Sequence, residues 1–348
     1  SGKFTDVETL FASKLFLESI GSKLFDCRFD NAQFIEDARA SYVLNSSIQE
    51  IESADAILLI GSNPRWEASV LNARIRKAYL QNDCKIGLIG KNINLNYNFV
   101  HLSDSIAHIN EIHDGTSSFC KILKEAKNPL IIIGTSAINH EEGQKVLNNC
   151  AEIAKKLPNS NDNFNPLNIL HQDISRVGAL DLGYYNSLFN FSFEEKLKNT
   201  IKQTKPVIFL LGQDEINMEV LNDAFVVYLG HHGDQGASVA NIILPTPAYT
   251  EKNSTYVNTE GRVLQTSKCH GPIGDAKDEW KIFRALSDSF GNILKFNNLQ
   301  ELREKLLLEH PMFSKLFEKP FGNKINFGSK DLIKDKDINY NIENFYMT

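Results

Sequence analysis

The sequence predicts an α/β fold made of two doubly wound domains, each with a mainly parallel sheet. In the first half, the apolar run Ala56–Ile60 leads into a turn at 61–64, and residues 67–80 follow with helical spacing. The same order returns in the second half, where Val207–Leu211 is followed by Gly212. A strand, a glycine turn and a helix form half of a βαβ unit, so their recurrence indicates parallel strands.

The elements of the first half follow from apolar spacing. An amphipathic helix is predicted at Val7–Ser19, where the carboxylate of Asp6 can accept the first free N–H groups. The helix at 67–80 is expected to place one apolar side inward, namely Val70, Leu71, Ile75, Ala78 and Tyr79. The other elements predicted here are strands at Lys85–Ile89 and 130–133, and helices at 119–126, 141–157 and 167–177.

The second half repeats the pattern and ends in a polar tail. Its predicted elements are strands at 207–211, 225–229 and 242–244, and helices at 194–203, 216–221, 278–290 and 299–308. An aromatic, asparagine-rich loop at 183–193 marks the predicted domain boundary. We therefore expect a first domain at 1–190, a second at 191–310 and an extended C-terminal tail at 311–348 that lies on a surface.

Length and composition limit the class of function. A chain of 348 residues favours two domains, and its net charge of −6 argues against nucleic-acid binding as the main role. No apolar run reaches the roughly 20 residues of a membrane span, and the first residues do not resemble a signal peptide. The cysteines lack the spacing of zinc or iron–sulfur ligands, so we expect reduced, mostly buried thiols in an intracellular compartment. They are Cys27, Cys84, Cys120, Cys150 and Cys269.

The turn after the first strand is a candidate ligand site. Gly61, Ser62 and Asn63 stand where open α/β sheets bind ligands, at the carboxyl end of a strand. Backbone N–H groups at a helix start attract anions and Arg65 would add positive charge, which predicts a phosphate cradle. Every βα unit needs a turn, however, and the sequence is neither G-x-G-x-x-G nor a Walker loop. A plain turn is therefore the alternative.

Two further clusters carry ionisable side chains. His231, His232 and Asp234 form the densest group. Adjacent histidines in an extended segment point to opposite faces, so we expect hydrogen-bonded loop histidines rather than a metal site. Glu260 and Arg262 flank a glycine, and Arg262 either binds a carboxylate or phosphate or ties two elements together. The residues alone show no nucleophile elbow, no paired carboxylates and no zinc-protease motif.

Several motifs resemble the large subunit of respiratory complex I, the NADH:ubiquinone oxidoreductase, over the C-terminal part of that family's sequence. They are segments 54–68, 71–78, 82–90, 179–184, 230–234, 248–262, 278–282 and 345–348. The same region is similar to the molybdopterin oxidoreductases, which share the strand–Gly-Ser-Asn-Pro–helix order and a later Asn-Thr-Glu-Gly-Arg. In cofactor-containing members the second strand runs into an Asp-Pro-Arg-like turn. Here Gly90, Lys91 and Asn92 stand in that place.

The resemblance implies two α/β domains of the molybdopterin oxidoreductase type and a structural, non-catalytic role in the peripheral arm of complex I. It implies no cofactor and no metal in this chain, with iron–sulfur clusters and FMN on partner subunits. A cofactor site would then survive only as remnants, at Gly61, Ser62, Asn63, Arg65, Glu260 and Arg262.

The resemblance also implies partners and a location. The expected partners are other peripheral-arm subunits, above all the iron–sulfur part of the same subunit type, with no nucleic acid and no direct membrane span. The expected location is the matrix side of the mitochondrial inner membrane, with the cytoplasmic face of a bacterial inner membrane as the alternative. The alternative function is a molybdopterin- or nucleotide-binding oxidoreductase that uses the Gly61 turn.

Overall fold

The computed structural model describes residues 1–158, 164–186, 193–318, 323–338 and 340. These residues form two parallel sheets and one antiparallel hairpin, with helices between the strands. The predicted α/β class is therefore confirmed. Within the described ranges, no helix is both long and apolar enough to cross a bilayer. The motif at 345–348 and residues 187–192 of the predicted boundary loop lie outside them.

The first sheet has five parallel strands. They are β1 (Ala56–Ile60), β2 (Lys85–Ile89), β3 (Val100–Ser103), β4 (Pro129–Gly134) and β5 (Leu167–Leu170), in the order β3-β2-β1-β4-β5. The central strand β1 is buried along its whole length, which explains its purely apolar sequence. Ile60 pairs with Ile89 on one side and with Ile133 on the other. The turns after β1, β2 and β4 are therefore neighbours at the carboxyl edge of the sheet.

Helices cover both faces of this sheet. The helices of the first half are α1 (Val7–Ser19), α2 (Pro64–Glu67), α3 (Ser69–Asn82), α4 (His108–Asp114), α5 (Cys120–Glu125), α6 (Gly143–Lys155) and α7 (Arg176–Asp181). One apolar core joins Leu58 of β1 to α4, α5 and α6. A second core on the opposite face joins Ile57 of β1 to Ile75 of α3. The predicted cap of α1 is confirmed, since the Asp6 carboxylate accepts the Thr9 N–H at 2.8 Å.

The helix predicted over residues 67–80 is in fact two helices, because the backbone leaves the helical region at Ala68 (φ −152°, ψ 67°). Val70, which was expected to face inward, is 74% exposed. The buried side of α3 is formed by Leu71, Ile75 and Ala78 instead. The apolar side chains of α3 cover a wider arc than the side of the helix that packs on the sheet. Their spacing therefore does not show which of them are buried.

The helix predicted over residues 167–177 is wrong. Residues 167–170 form β5, and the helix begins only at Arg176. Asn168 interrupts the apolar pattern, so the sequence does not show a buried strand here. Its side chain is nevertheless fully buried. Its amide oxygen accepts the Ser46 N–H at 2.7 Å, and its amide nitrogen donates to the Asn165 carbonyl at 3.0 Å. A satisfied polar group can stand in a buried strand at little cost.

The second sheet is smaller. Its parallel strands are β6 (Val207–Leu211), β7 (Phe225–Gly230) and β8 (Ile242–Pro245), with β7 in the centre, and β9 (Thr255–Val257) pairs with β10 (Val263–Gln265) in the hairpin. The helices of this half are α8 (Phe193–Thr204), α9 (Gln235–Val239), α10 (Glu279–Ser289) and α11 (Leu299–Glu309). Helix α1 packs against α10 and α11, and Phe11 and Phe16 share one core with Leu211 and Phe283. The domain limits at 1–190 and 191–310 stay a prediction.

Residues 325–338 of the C-terminal tail lie on the face of the first sheet that α4 and α6 cover. Ile333 and Ile338 are buried in the core formed with α4 and α6. The side-chain amide of Asn149 donates to the Asp331 carbonyl at 2.6 Å and accepts the N–H of the same residue at 3.2 Å. Asn110 bonds both backbone groups of Ile333 in the same way, at 2.9 and 3.2 Å. The tail is therefore held by this chain's own helices.

Candidate functional site

The turn after β1 is closely packed at the carboxyl edge of the first sheet. Gly61 has a left-handed φ of +57°, and its N–H donates to the Ile89 carbonyl at 2.9 Å. A β-carbon at Gly61 would lie 2.6 Å from the β-carbon of Ala137. A side chain at this position is excluded both by the backbone angle and by the neighbouring turn after β4.

The polar residues of the turn face inward. Ser62 and Asn63 are buried, and the Ser62 hydroxyl donates to Oε2 of Glu67 at 2.9 Å. Burial raises the pKa of the Glu67 carboxyl. Asn63 Oδ1 and Glu67 Oε1 are buried, and neither has a hydrogen-bond partner in the described part of the chain. The polar side chains of this turn thus supply an amide oxygen and a carboxyl group, and none of Ser62, Asn63 and Glu67 carries a positive charge.

Arg65 does not contribute positive charge to the turn. Its guanidinium is exposed and donates from Nη1 to the Asn94 carbonyl at 3.1 Å. The phosphate cradle predicted from Gly61, Ser62, Asn63 and Arg65 therefore lacks its only cation in this arrangement.

Tyr340 of the C-terminal tail lies over the same edge. A β-carbon added to Gly90 would stand 2.6 Å from the Tyr340 hydroxyl oxygen and 3.6 Å from the Gly61 nitrogen. The hydroxyl is buried and has no hydrogen-bond partner among the residues that the structure describes, and burial raises its pKa above the ordinary range. Sequence reasoning placed Tyr340 only in an extended tail, because nothing local indicates which surface a distant segment covers.

Glu260 and Arg262 form an ion pair that holds three segments together. Arg262 Nε donates to Glu260 Oε1 at 2.7 Å, and Arg262 Nη1 donates to the Phe317 carbonyl at 3.1 Å. The second carboxylate oxygen of Glu260 accepts the Ile48 N–H at 2.9 Å. Both side chains are thus engaged in tying the hairpin to residues outside it, which is one of the two roles predicted.

One crevice lies beside the turn after β1, and from the hairpin only Thr259, the neighbour of Glu260, borders it. An open cavity of about 600 Å³ is lined by Arg65, Glu67, His171 and Thr259, among others. The Nε2 atom of His171 bonds the Tyr42 carbonyl at 2.7 Å, and burial lowers its pKa to about 4. His171 is therefore neutral at physiological pH. The side chains of Glu260 and Arg262 do not line this crevice.

A second cavity of about 600 Å³ lies at the carboxyl edge of the second sheet, where it is lined by His231, His232 and Asp234. The two imidazole rings lie 4.5 Å apart, so the expectation that they point to opposite faces is wrong. The chain bends after β7, and extended-strand alternation does not apply there. Within the described ranges, no group of three or more His, Cys, Asp or Glu side chains is arranged to hold a metal ion.

Lys252 lines this cavity and belongs to an ionic cluster that no local sequence pattern predicts. Its ammonium is 2.6 Å from Asp6 Oδ2 and 2.9 Å from Glu279 Oε1. All three side chains are buried. Burial alone would raise the pKa of Asp6, but the charge of Lys252 outweighs it, so the pKa is lowered. For Glu279 burial outweighs the charge of Lys252, so its pKa is raised. The cluster connects the cap of α1 to the start of α10, so its evident role is to join these helices.

Comparisons with known proteins support the resemblance inferred from the motifs. The family model described as molybdopterin oxidoreductase matches residues 1–289. The NADH-ubiquinone oxidoreductase 75 kDa subunit of Reclinomonas americana is 38% identical over the whole chain, which covers 52% of that protein. The 78 kDa mitochondrial subunit of Neurospora crassa is 41% identical over 90% of the chain, which covers 42% of it. The resemblance is therefore confirmed, and the chain spans about half the length of the curated relatives it matches.

A solved structure shows the same fold at low sequence identity. Acetylene hydratase from Pelobacter acetylenicus matches with a TM-score of 0.50 and 14% identity, covering 81% of this chain and 54% of that one. At this identity the likeness concerns the fold alone.

Proposed function

The chain belongs to the molybdopterin oxidoreductase family, and on this basis we propose that it is a structural, non-catalytic part of the peripheral arm of respiratory complex I. The observation that carries the proposal is the similarity to NADH-ubiquinone oxidoreductase subunits, at 38% identity over the whole chain in one case. In this role the chain supports electron transfer from NADH to ubiquinone that other chains carry out.

The packing of the first-sheet turn supports a role without a pterin cofactor. A pterin dinucleotide needs accessible donors and room at the carboxyl edge of the sheet. Here Tyr340 covers Gly90 beside the Gly61 nitrogen, and Arg65 bonds a backbone carbonyl away from the turn. The residues of this turn do not fit the dinucleotide, and Glu260 and Arg262 are committed to a structural ion pair. In the proposal these six candidate residues are remnants.

The electron carriers belong to other polypeptides in this proposal. Iron–sulfur clusters and FMN would be held by partner subunits, among which the iron–sulfur part of the same subunit type is the principal partner. The relative from Neurospora crassa is named as a mitochondrial protein. This name supports a mitochondrial location, and the proposal adds the matrix side of the inner membrane, which the resemblance to complex I implies.

Metal analysis and an absorption spectrum of the chain purified alone, with co-purification from its host, test this function. We expect no stoichiometric iron or molybdenum on the isolated chain, and stoichiometric recovery of iron–sulfur polypeptides with the tagged chain. Stoichiometric molybdenum with a pterin spectrum would overturn the proposal. It would favour the oxidoreductase alternative, and the cavity beside His231 would then be the place to look for the ligand.

A further inference from the structure

The outer side of α3 carries apolar side chains where a surface helix normally carries polar ones. Val70 is 74% exposed and Leu80 is 62% exposed, with the exposed Ala73 between them. Trp66 of α2, one turn before, is 55% exposed. We call Trp66, Val70, Ala73 and Leu80 the α3 outer stripe. Single exposed apolar residues are ordinary, but an adjacent row of them marks an interaction surface.

The spacing of the stripe indicates the shape of its partner. Val70, Ala73, Lys77 and Leu80 are three, four and three residues apart, which places them on one side of α3. The charge of Lys77 is paired with Glu52 at 2.5 Å, so it does not interrupt the apolar row with an unpaired cation. Alternating three- and four-residue spacing is the pattern by which one helix packs along another.

The charges around the stripe indicate the chemistry of the partner. Residues 64–82 contain four basic side chains and one acidic one, although the whole chain has a net charge of −6. Glu52 pairs with Arg74 as well as Lys77. Arg65 and Arg76 are exposed, and within the described part of the chain no carboxylate forms an ion pair with either. A positive surface on an acidic protein is complementary to acidic groups on a partner.

A cavity at one end of the stripe offers room for an anchoring side chain. Trp66 and Val70 line the open cavity of about 600 Å³ already described, together with Ile48 and Leu170. Interfaces draw most of their binding energy from a few bulky side chains that fill such pockets. The stripe and this cavity are continuous, so a helix lying on α3 can place an apolar residue in it.

We propose that the α3 outer stripe binds an amphipathic helix that lies outside residues 1–348 and carries apolar residues flanked by acidic ones. The inference rests on the proposed function, since the assembly must supply that helix, and it names the face of this chain that meets the rest of the arm. Burial of the stripe explains why Val70 and Leu80 are apolar although the fold of this chain alone leaves them in water.

Charge insertion into the stripe tests the proposal. Val70→Glu and Leu80→Glu would each place a carboxylate in the desolvated interface, and Leu308→Glu is the matched control, since Leu308 is 82% exposed on α11. We expect both stripe variants to lower recovery of the iron–sulfur polypeptides with the tagged chain by roughly tenfold or more, with the control unchanged. Thermal unfolding of each isolated variant shows whether it is folded. Arg76→Glu should also lower recovery, in a salt-dependent manner.

A photo-reactive residue at position 70 identifies the occupant. The expected product is a cross-link, in the purified assembly, to a helical segment outside this chain that has an apolar row and acidic flanks. Wild-type recovery for folded Val70→Glu, or a cross-link to a second copy of this chain, overturns the inference while the proposed function stands. If the wild-type chain recovers no iron–sulfur polypeptide, the proposed function fails. In that case the absence of a cross-link to an acidic helix also rejects the docking surface.

Discussion

The hydroxyl oxygen of Tyr340 lies so close to Gly90 that a β-carbon on the glycine would stand 2.6 Å from it. Gly90 directly follows β2, next to the turn that follows β1. A residue near the C-terminus therefore covers the place where an open α/β sheet would admit a ligand. This contact relates the covering of that edge to the docking of the tail, and both can be tested together.

Gly90→Ala should destabilise the protein and loosen the end of the tail. Gly90 has a φ of +132°, where a side chain is strained, and the new methyl group would meet the Tyr340 hydroxyl. We expect a loss of about 1–3 kcal/mol in the free energy of unfolding. Limited proteolysis with mass spectrometry should show faster cleavage at Lys334 and Lys336 in the tail.

The control separates backbone strain from the contact. Gly291 has a φ of +73°, and nothing lies within 4 Å of its added β-carbon, so Gly291→Ala reports strain alone. We expect Tyr340→Ala to recover part of the loss in Gly90→Ala and none in Gly291→Ala. Equal tail cleavage in both glycine variants would refute the contact.

Asn149→Ala should release the middle of the tail. The Asn149 side chain is fully buried and bonds both backbone groups of Asp331. Its removal leaves these backbone groups without partners, which costs about 1–3 kcal/mol in the free energy of unfolding. Asn148→Ala is the neighbouring control, since its single bond to the Asp331 carboxylate is long, at 3.4 Å. Chemical denaturation and proteolysis should show a clearly larger effect at position 149, and similar effects at both would contradict this account.

Local patterns in the sequence predicted three strands of the first sheet, β1, β2 and β4, but neither its edge strands β3 and β5 nor the contacts that close its carboxyl edge. β1 and β4 are uninterrupted apolar runs beside glycine or proline, and β2 is apolar after its first residue, Lys85, so burial on both faces is visible in their composition. The covering of Gly90 by Tyr340 joins segments far apart in the chain, and no local pattern encodes such a pairing. Spacing likewise placed Val70 on an apolar arc of α3 without showing which part of that arc meets the sheet.

The same limit applies to the buried charges. Asp6 was predicted as a helix cap from its neighbours alone, and the structure confirms the cap. Its second partner, Lys252, comes from a loop in the second half of the chain, and Glu279 begins another helix. Each of these polar residues is ordinary in its own segment, so only their positions in space show that they form one cluster.

Lys252→Met should be strongly destabilising. The variant would leave the buried Asp6 and Glu279 carboxyl groups without their cation, which costs about 3–5 kcal/mol. Lys281→Met is the control, since Lys281 is exposed and its pair with Asp278 lies at the surface, where it contributes about 1 kcal/mol or less. Urea unfolding of both variants measures the difference, and comparable losses would contradict a stabilising role for the buried cluster.

The loss in Lys252→Met should depend on pH. In the wild type the pKa of Asp6 lies below its ordinary value because Lys252 outweighs burial. Without the lysine, burial should raise the pKa of both carboxyl groups above their unfolded values. The folded variant then binds more protons than the unfolded chain, so its stability falls as pH rises. The difference in free energy of unfolding between the variant and the wild type should be smaller at about pH 5 than at about pH 8. The reverse order would show that the two carboxyl groups do not cause this difference.

Arg262→Ala tests whether this candidate residue is structural or binds an anion. The variant loses the bonds to Glu260 and to the Phe317 carbonyl and leaves a buried carboxylate unpaired, which costs about 1–3 kcal/mol. Arg262→Lys keeps the charge and should recover part of the loss, whereas Arg65→Ala should change stability by about 0.5 kcal/mol or less, since Arg65 is exposed.

Thermal unfolding with and without inorganic phosphate distinguishes the roles. A phosphate site would stabilise the wild type by mass action and lose this effect in Arg262→Ala. We expect the same small phosphate effect in all variants, because the guanidinium is already occupied by Glu260 and a backbone carbonyl.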